Sequence, residues 1–277
     1  MRLPLSIVEA FAPQPFSGNP AAVVELAAWL PDEVLGNIAS ANAQPMTGFF
    51  TALSDQAAAP DAQTAAPQYH LRWFNPNGAE SPGCGHATFA AGALLLEERH
   101  SDVDTVMFWT KAGWLAVSRA ERGKASLRFP SAPITAAAGR ADVEQALGLV
   151  PEATYDDGSR LHLVLENASH VAEAKPDLAA LAATGLFGVS LSAPAENLAE
   201  TGFVLRFFHP VGGVPEDPVT GSATAALVPY WARRLGSERL EVRQLSEREG
   251  ALTAQLDGDH AVLTGAYRRY LDGFIEV

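Results

Sequence analysis

The clearest element in the chain is a stretch without a polar face. Within residues 86–99 the run Ala-Thr-Phe-Ala-Ala-Gly-Ala-Leu-Leu-Leu leaves no hydrophilic arc on a helix. A helix that is apolar all round is buried on every side, so here a sheet must wrap it. Residues 3–11 and 21–26 read as apolar strands around a turn, Phe16-Ser-Gly-Asn-Pro20. Pro31-Asp-Glu33 opens a helix to about residue 41, with its acids where the helix dipole favours them. Residues 47–53 and 69–74 read as strands flanking 54–68, an aperiodic stretch expected to be a flexible loop tip without chemistry. Residues 106–109, 114–119 and 125–129 read as short strands, and the Pro/Ala/Gly stretch 130–139 as a linker.

After the linker the pattern restarts. Helices are expected at 143–149 and 178–184, and strands at 161–165, 189–192 and 203–208. A second apolar helix covers about 222–235, and strands at 240–243, 252–256, 260–265 and 274–277 close the chain.

The restart is a repeat. Arg72, Phe74, Pro76 and Gly78 recur as Arg206, Phe208, Pro210 and Gly212 at an offset of 134. After a two-residue insertion, Glu80, Pro82, Gly85, Ala87, Thr88 and Ala90 recur as Glu216, Pro218, Gly221, Ala223, Thr224 and Ala226 at an offset of 136. These ten identities within 19 residues exceed the roughly one or two that composition would supply. Each copy reads as strand, Pro/Gly turn, buried helix. The expected fold is therefore α+β, with two pseudo-symmetric lobes, each a mostly antiparallel sheet or barrel wrapped round a central helix. The first lobe would span 1–129, joined by the final strand 266–277, and the second 130–265.

Composition narrows the function classes. The 277 residues carry 19 Lys+Arg against 32 Asp+Glu, a formal net charge of −13. Such a balance argues against nucleic acid, which demands a basic face. The apolar runs are far below the ~20 residues of a membrane-spanning helix, and the N-terminal stretch does not read as a signal peptide. Cys84 is the only cysteine, which rules out an intrachain disulfide and suits a reducing cytosol. The histidines form no ligand cluster, so no metal is expected, and Gly83-Cys-Gly85 is too short for a dinucleotide fingerprint.

The repeat also locates candidate chemistry. In both copies a glycine and small polar residues sit where a helix begins: Cys84-Gly85-His86 and Thr220-Gly221-Ser222. A helix start exposes unpaired N–H groups and a partial positive charge, and glycine admits a ligand close to the backbone. Two such ends facing one cleft would cradle a carboxylate. The unmatched positions are chemically distinct: Cys84 against Thr220, His86 against Ser222, Ser81 against Asp217. A single site shared by two lobes would diverge in this way. The recurrence of Glu80 as Glu216 favours a structural turn role for both.

Glu216-Asp-Pro-Val-Thr-Gly-Ser-Ala-Thr224, Arg72-Trp-Phe-Asn-Pro76, Cys84-Gly-His-Ala-Thr88, Phe16-Ser-Gly-Asn-Pro-Ala-Ala-Val23 and Pro176-Asp-Leu-Ala-Ala-Leu181 closely resemble the PhzF-like, or phenazine-biosynthesis-like, isomerase family. The resemblance implies a diaminopimelate-epimerase-like fold, a cofactor-free site and a homodimer. It places the family's site histidine on His86, its aspartate on Asp217 and its serine on Ser222. The two facing thiols of the related epimerases map onto Cys84 and Thr220, so two-thiol racemisation is not expected. Gly85, Thr220 and Gly221 would line the substrate side. Asn19, in the family's substrate-side loop, is equally readable as a ligand partner or as a turn residue before Pro20.

One departure bears on activity. The family carries a catalytic glutamate in a segment like Asn-x-Ser-Glu-Thr-x-Phe, whereas this chain has Asn42-Ala-Gln-Pro-Met46-Thr-Gly-Phe49. Met46 occupies the glutamate position, and a thioether performs no general acid–base chemistry. The expected function is a cofactor-independent isomerase that acts by proton transfer on a small carboxylate-bearing metabolite in the cytoplasm. Two alternatives follow from Met46: a catalytically silent ligand-binding relative, or a single-thiol epimerase or dehydratase using Cys84 as base.

Overall fold

The computed structural model describes residues 1–53, 66–195, 201–209 and 214–277. Two compact units divide the chain: Met1–Phe129 with Thr264–Val277, and Pro130–Leu263. Most of the loop expected at 54–68 lies outside the described residues, as do Pro210 and Gly212 of the repeat. Gln68 already belongs to a strand.

The first unit contains strands β1 (Arg2–Ala10), β2 (Asn19–Glu25), β3 (Met46–Ala52), β4 (Gln68–Phe74), β5 (Glu80–Ser81), β6 (Thr105–Thr110), β7 (Gly113–Arg119) and β8 (Lys124–Pro130). Helices α1 (Asp32–Asn42) and α2 (Gly85–Glu98) complete it. The second unit has strands β9 (Thr135–Ala137), β10 (Ala153–Asp156), β11 (Arg160–Val164), β12 (Gly188–Pro194), β13 (Gly202–Phe208), β14 (Arg239–Gln244) and β15 (Gly250–Asp257). Its helices are α3 (Ala141–Leu147), α4 (Ala168–Ala172), α5 (Leu178–Ala183) and α6 (Gly221–Leu235). Strand β16 (His260–Glu276) starts in the second unit and ends in the first.

In the first unit the strand order is β1-β2-β3-β4-β6-β7-β8-β16, and pairing of β1 with β16 closes it into a barrel. The barrel surrounds α2, which packs against β1, β2, β3, β6 and β7. Every residue of α2 from Gly85 to Leu96 is buried, as its apolar circumference requires. Full burial of a side chain such as Phe89 or Leu95 contributes about 1.5–3 kcal/mol, so this helix anchors the unit. Gly92 lets it lie directly on Val117 of β7. A satellite core under α1 joins Leu35, Ile38 and Ala39 to Leu3, Leu5, Val24 and Phe49.

The strand pairings repeat with the sequence. β2–β3 is parallel, β3–β4 antiparallel, β4–β6 parallel and β6–β7 antiparallel. β11–β12, β12–β13, β13–β14 and β14–β15 follow the same alternation. In the second unit α6 packs against β13, β14 and β15, with Trp231 stacked on Phe203 at 5.5 Å. Helices α3, α4 and α5 cover β11–β13 through Val143, Leu147, Val171 and Leu181.

Three expectations need correction. The stretch 130–139 is not wholly a linker, because Thr135–Ala137 pairs with β10. The expected strands at 260–265 and 274–277 are one strand of 17 residues. Its middle, Tyr267-Arg-Arg-Tyr-Leu-Asp-Gly273, lacks apolar alternation and is held instead by its register with β1. Ile7 pairs with Leu271 and Val8 with Arg269, so Tyr270 bulges out. Strand β10 and helix α4 were not anticipated, each being too short to show a period.

Candidate functional site

The first candidate cluster lies where α2 begins. Cys84 precedes the helix in an extended conformation, φ −153 and ψ 114, and no side chain caps the helix through it. Thr88 Oγ1 instead donates to Cys84 O at 2.7 Å, which fixes the entry. His86 therefore sits in the first turn, inside the barrel, with 7% of its surface exposed. Its Nδ1 faces the Asn19 amide nitrogen at 3.2 Å and Cys84 Sγ at 3.5 Å. An amide nitrogen only donates, so Nδ1 accepts and the ring proton resides on Nε2. Among the described residues Nε2 is buried with no hydrogen-bond partner. Burial pushes the imidazole pKa down to about 3, so the ring is neutral at physiological pH.

Met46 is the first residue of β3 and is 7% exposed. It pairs with Ala21 of β2, two residues from Asn19, so its side chain shares the sheet face of Asn19. The glutamate expected of the resemblance is thus replaced by a buried thioether on the His86 side of the sheet. Asn42 and Gln44 spend their amides locally, Asn42 Nδ2 on Thr47 Oγ1 at 3.5 Å and Gln44 Nε2 on Asn42 O at 3.2 Å. Glu9 is buried and accepts from Phe16 N at 3.2 Å, a bond that shapes the loop leading to Asn19.

The second cluster is the start of α6. Thr224 Oγ1 donates to Thr220 O at 3.1 Å, repeating the bond between Thr88 and Cys84. Thr220 Oγ1 donates to Asp217 Oδ2 at 2.6 Å. Gln244 braces the turn: its Oε1 accepts from Thr220 N at 2.8 Å, and its Nε2 donates to Asp217 O at 2.5 Å. The structure thus brings together Asn19, Cys84, Gly85 and His86 in one unit, and Asp217, Thr220, Gly221 and Ser222 in the other.

Sequence reasoning missed Gln244 and a second group around Ser222. Arg160 Nη1 donates to Ser222 Oγ at 2.8 Å, and Arg160 Nε donates to Asp157 Oδ2 at 2.6 Å. His162 bridges Asp157 at 3.2 Å and Ser190 at 2.8 Å. Asp157, His162 and Ser190 would resemble a hydrolase triad, but the histidine and serine are 0% exposed and out of reach of substrate. Burial acts to raise the Asp157 pKa. The His162 hydrogen bond, the Arg160 charge and the N–H groups of Ser159 and Arg160 outweigh it, and the carboxyl stays well below its usual range.

The repeated Arg and Glu form matching ion pairs. Arg72 grips Glu80 at 2.8 and 3.0 Å, and Arg206 grips Glu216 at 2.7 and 2.8 Å. The pairs hold the turn before each helix, which gives the shared glutamates a structural role.

The family model described as phenazine biosynthesis-like protein matches residues 8–267. The chain belongs to the phenazine biosynthesis-like family. It is 37% identical over 265 residues to an uncharacterized isomerase of Pseudomonas aeruginosa, covering 96% of this chain and 95% of that protein. A crystal structure of a PhzF-family phenazine biosynthesis protein from Enterococcus faecalis superimposes with a TM-score of 0.87 at 36% identity, covering 100% of both chains. A predicted epimerase from Pseudomonas aeruginosa, 21% identical and covering 99% of each chain, reaches a TM-score of 0.71 and shows an epimerase-like fold. The family match of this phenazine biosynthesis-like protein spans both repeated helix starts and Met46.

Proposed function

We propose that the chain is a cofactor-independent isomerase that shifts a proton on a small carboxylate-bearing metabolite. The observation that carries this reading is the buried His86 Nε2, which has no partner among the described residues and lies in the first turn of α2. Such a group is costly to bury unless a ligand engages it. Its depressed pKa disfavours an imidazolium intermediate. The proton path that avoids one runs through both ring nitrogens: Nε2–H passes to the substrate while Nδ1 takes the proton of the Cys84 thiol, leaving thiolate and neutral ring. The reverse transfer restores the pair. Cys84 Sγ, 3.5 Å from Nδ1, is placed for this relay and stands in for the carboxylate lost at Met46. We assign Gly85, Thr220, Gly221 and Ser222 to substrate binding and Asp217 to positioning at the second helix start. Asn19 orients the resting ring, with its proton on Nε2.

Met46 favours a second reading, a ligand-binding relative without catalysis. Incubation of the protein in deuterated buffer with a panel of amino and hydroxy acids separates the two. Deuterium incorporation next to the carboxylate that is lost in Cys84→Ala and in His86→Gln supports the isomerase. Binding without incorporation supports the silent relative. We further propose a cytoplasmic homodimer without nucleic-acid affinity, on the lone cysteine, the family resemblance and the net charge of −13. Sedimentation as a monomer at micromolar concentration would remove the dimer, and retention on heparin at physiological salt would count against the last point.

A further inference from the structure

Arg160 has only 11% of its side chain exposed, and its immediate anchor Asp157 only 1%. Asp157 Oδ1 accepts from Ser159 N at 2.9 Å, Ser159 Oγ at 2.9 Å and Arg160 N at 2.8 Å, while Oδ2 takes Arg160 Nε and His162 Nε2. A carboxylate held by five donors does not swing, and one edge of the guanidinium is fixed with it. His162 is fixed in turn by Ser190. The rotamer entropy of a long arginine is thereby lost on folding and not on ligand binding.

The other edge points at α6. Nη1 donates to Ser222 Oγ, and guanidinium has no acceptor to offer in return. The Ser222 hydroxyl proton is therefore left to donate elsewhere. Arg206, the structural arginine of this unit, spends its Nη1 on the carbonyls of Val171, Ala172 and Ala174. Arg160 spends its Nη1 on a hydroxyl in the first turn of a helix of 15 residues. The field of Arg160 also reaches His209, whose pKa burial lowers first and the guanidinium charge lowers further.

We propose that Arg160 is a positioning and specificity residue: it fixes the Ser222 hydroxyl as an obligate donor and, with its positive charge, selects a carboxylate over an uncharged group at the start of α6. The proposal rests on the assignment of Ser222 to substrate binding. It deepens that assignment by naming the anion as the group selected and the hairpin residue that selects it.

The test is an amide NMR titration of the full chain with malonate and, as the uncharged control, malonamide. Malonate should shift the Gly221, Ser222 and Ala223 amides and malonamide should not. Arg160→Gln should weaken malonate by about tenfold or more, and Arg160→Lys, which keeps charge without the fork, by less. Ser222→Ala should weaken binding in the wild-type background and add nothing in Arg160→Gln, a coupling that a merely structural arginine would not produce. Malonate binding unchanged in both Arg160 variants, or no shift at α6, would overturn the proposal. If Arg160→Gln does not fold, Arg160→Lys with Ser222→Ala still reads the coupling. Arg160-dependent malonate binding without deuterium incorporation into any acid would sink the isomerase and leave this inference standing. Deuterium incorporation whose KM ignores Arg160 would do the opposite.

Discussion

The amide nitrogen of Asn19 lies 3.2 Å from Nδ1 of His86, across 67 residues of sequence. This contact ties the first residue of β2 to the first turn of α2 and settles which ring nitrogen carries the proton. The histidine is buried, and that has a measurable consequence for stability.

His86 has its pKa lowered from 6.5 to about 3 on folding. The unfolded chain therefore binds a proton below pH 6.5 that the folded chain refuses until about pH 3. The neutral ring's contribution is fully present above pH 6.5, falls as pH drops through the window from 6.5 to 3, and levels off below it. Between pH 7 and pH 5 the expected loss is about 2 kcal/mol. Denaturant unfolding of wild type and His86→Gln at the two pH values should show a difference of that order in their pH dependence. Parallel curves would mean that the ring is solvated.

Met46 sets the second expectation. If the thiol stands in for the missing carboxylate, Cys84→Ala should lose solvent exchange, and Met46→Glu added to it should recover part of the ~10²–10⁴-fold that positioned acid–base catalysis supplies. The new carboxylate enters a position that is 7% exposed, so unfolding should also show a loss of stability. Deuterium incorporation measured by NMR decides the matter. A double variant as inactive as Cys84→Ala would show that position 46 does not address the reacting carbon.

What could be read in advance follows from which interactions are local or repeated. The apolar circumference of 86–96 dictated a wrapped helix, and α2 lies inside a closed barrel. The duplicated Arg and Glu were visible as identities, and each pair is a bidentate ion pair. Barrel closure was not legible, because the part of β16 that pairs with β1 around Tyr270 has charged and aromatic residues without alternation. The support of the second helix start was not legible either. Gln244 closes a ring with Thr220 over 24 residues, and Arg160 meets Ser222 over 62. Single polar residues at such separations leave no motif, whereas His86 and Cys84 stand two apart in a recognisable string.

The two repeated ion pairs should differ in strength. Without Arg72, Glu80 keeps Lys111 as a partner. Without Arg206, Glu216 loses its only ion-pair partner among the described residues, and the carbonyls of Ala172 and Ala174 lose donors at 3.2 and 2.7 Å. Each half-buried bond of this kind is worth about 1–3 kcal/mol. Arg206→Met should therefore destabilise by at least about 1 kcal/mol more than Arg72→Met in urea unfolding. Equal losses would mean that solvent replaces the lost donors.

Gly92→Ala opposes two effects of known size. Alanine is the better helix residue by about 1 kcal/mol in an exposed helix interior. Position 92, however, is the point where α2 touches β7. A Cβ there would lie 2.5 Å from Val117 Cγ1 and 2.6 Å from Cγ2. Val117 is 0% exposed, and its branched side chain is restricted about χ1 inside the barrel, so it cannot turn aside. Overpacking of this kind costs about 1–3 kcal/mol, which outweighs the propensity gain. The substitution should lower stability by up to about 2 kcal/mol, opposite in sign to the helix scale. Val117→Ala alone should also destabilise, through the cavity it leaves. The double variant should then be somewhat more stable than the two losses added together, because alanine at 117 removes the Cγ1 and Cγ2 contacts while its Cβ still meets the new methyl group. Strict additivity in a thermal or denaturant cycle would show that α2 has room to move away from β7 and that the barrel does not clamp it.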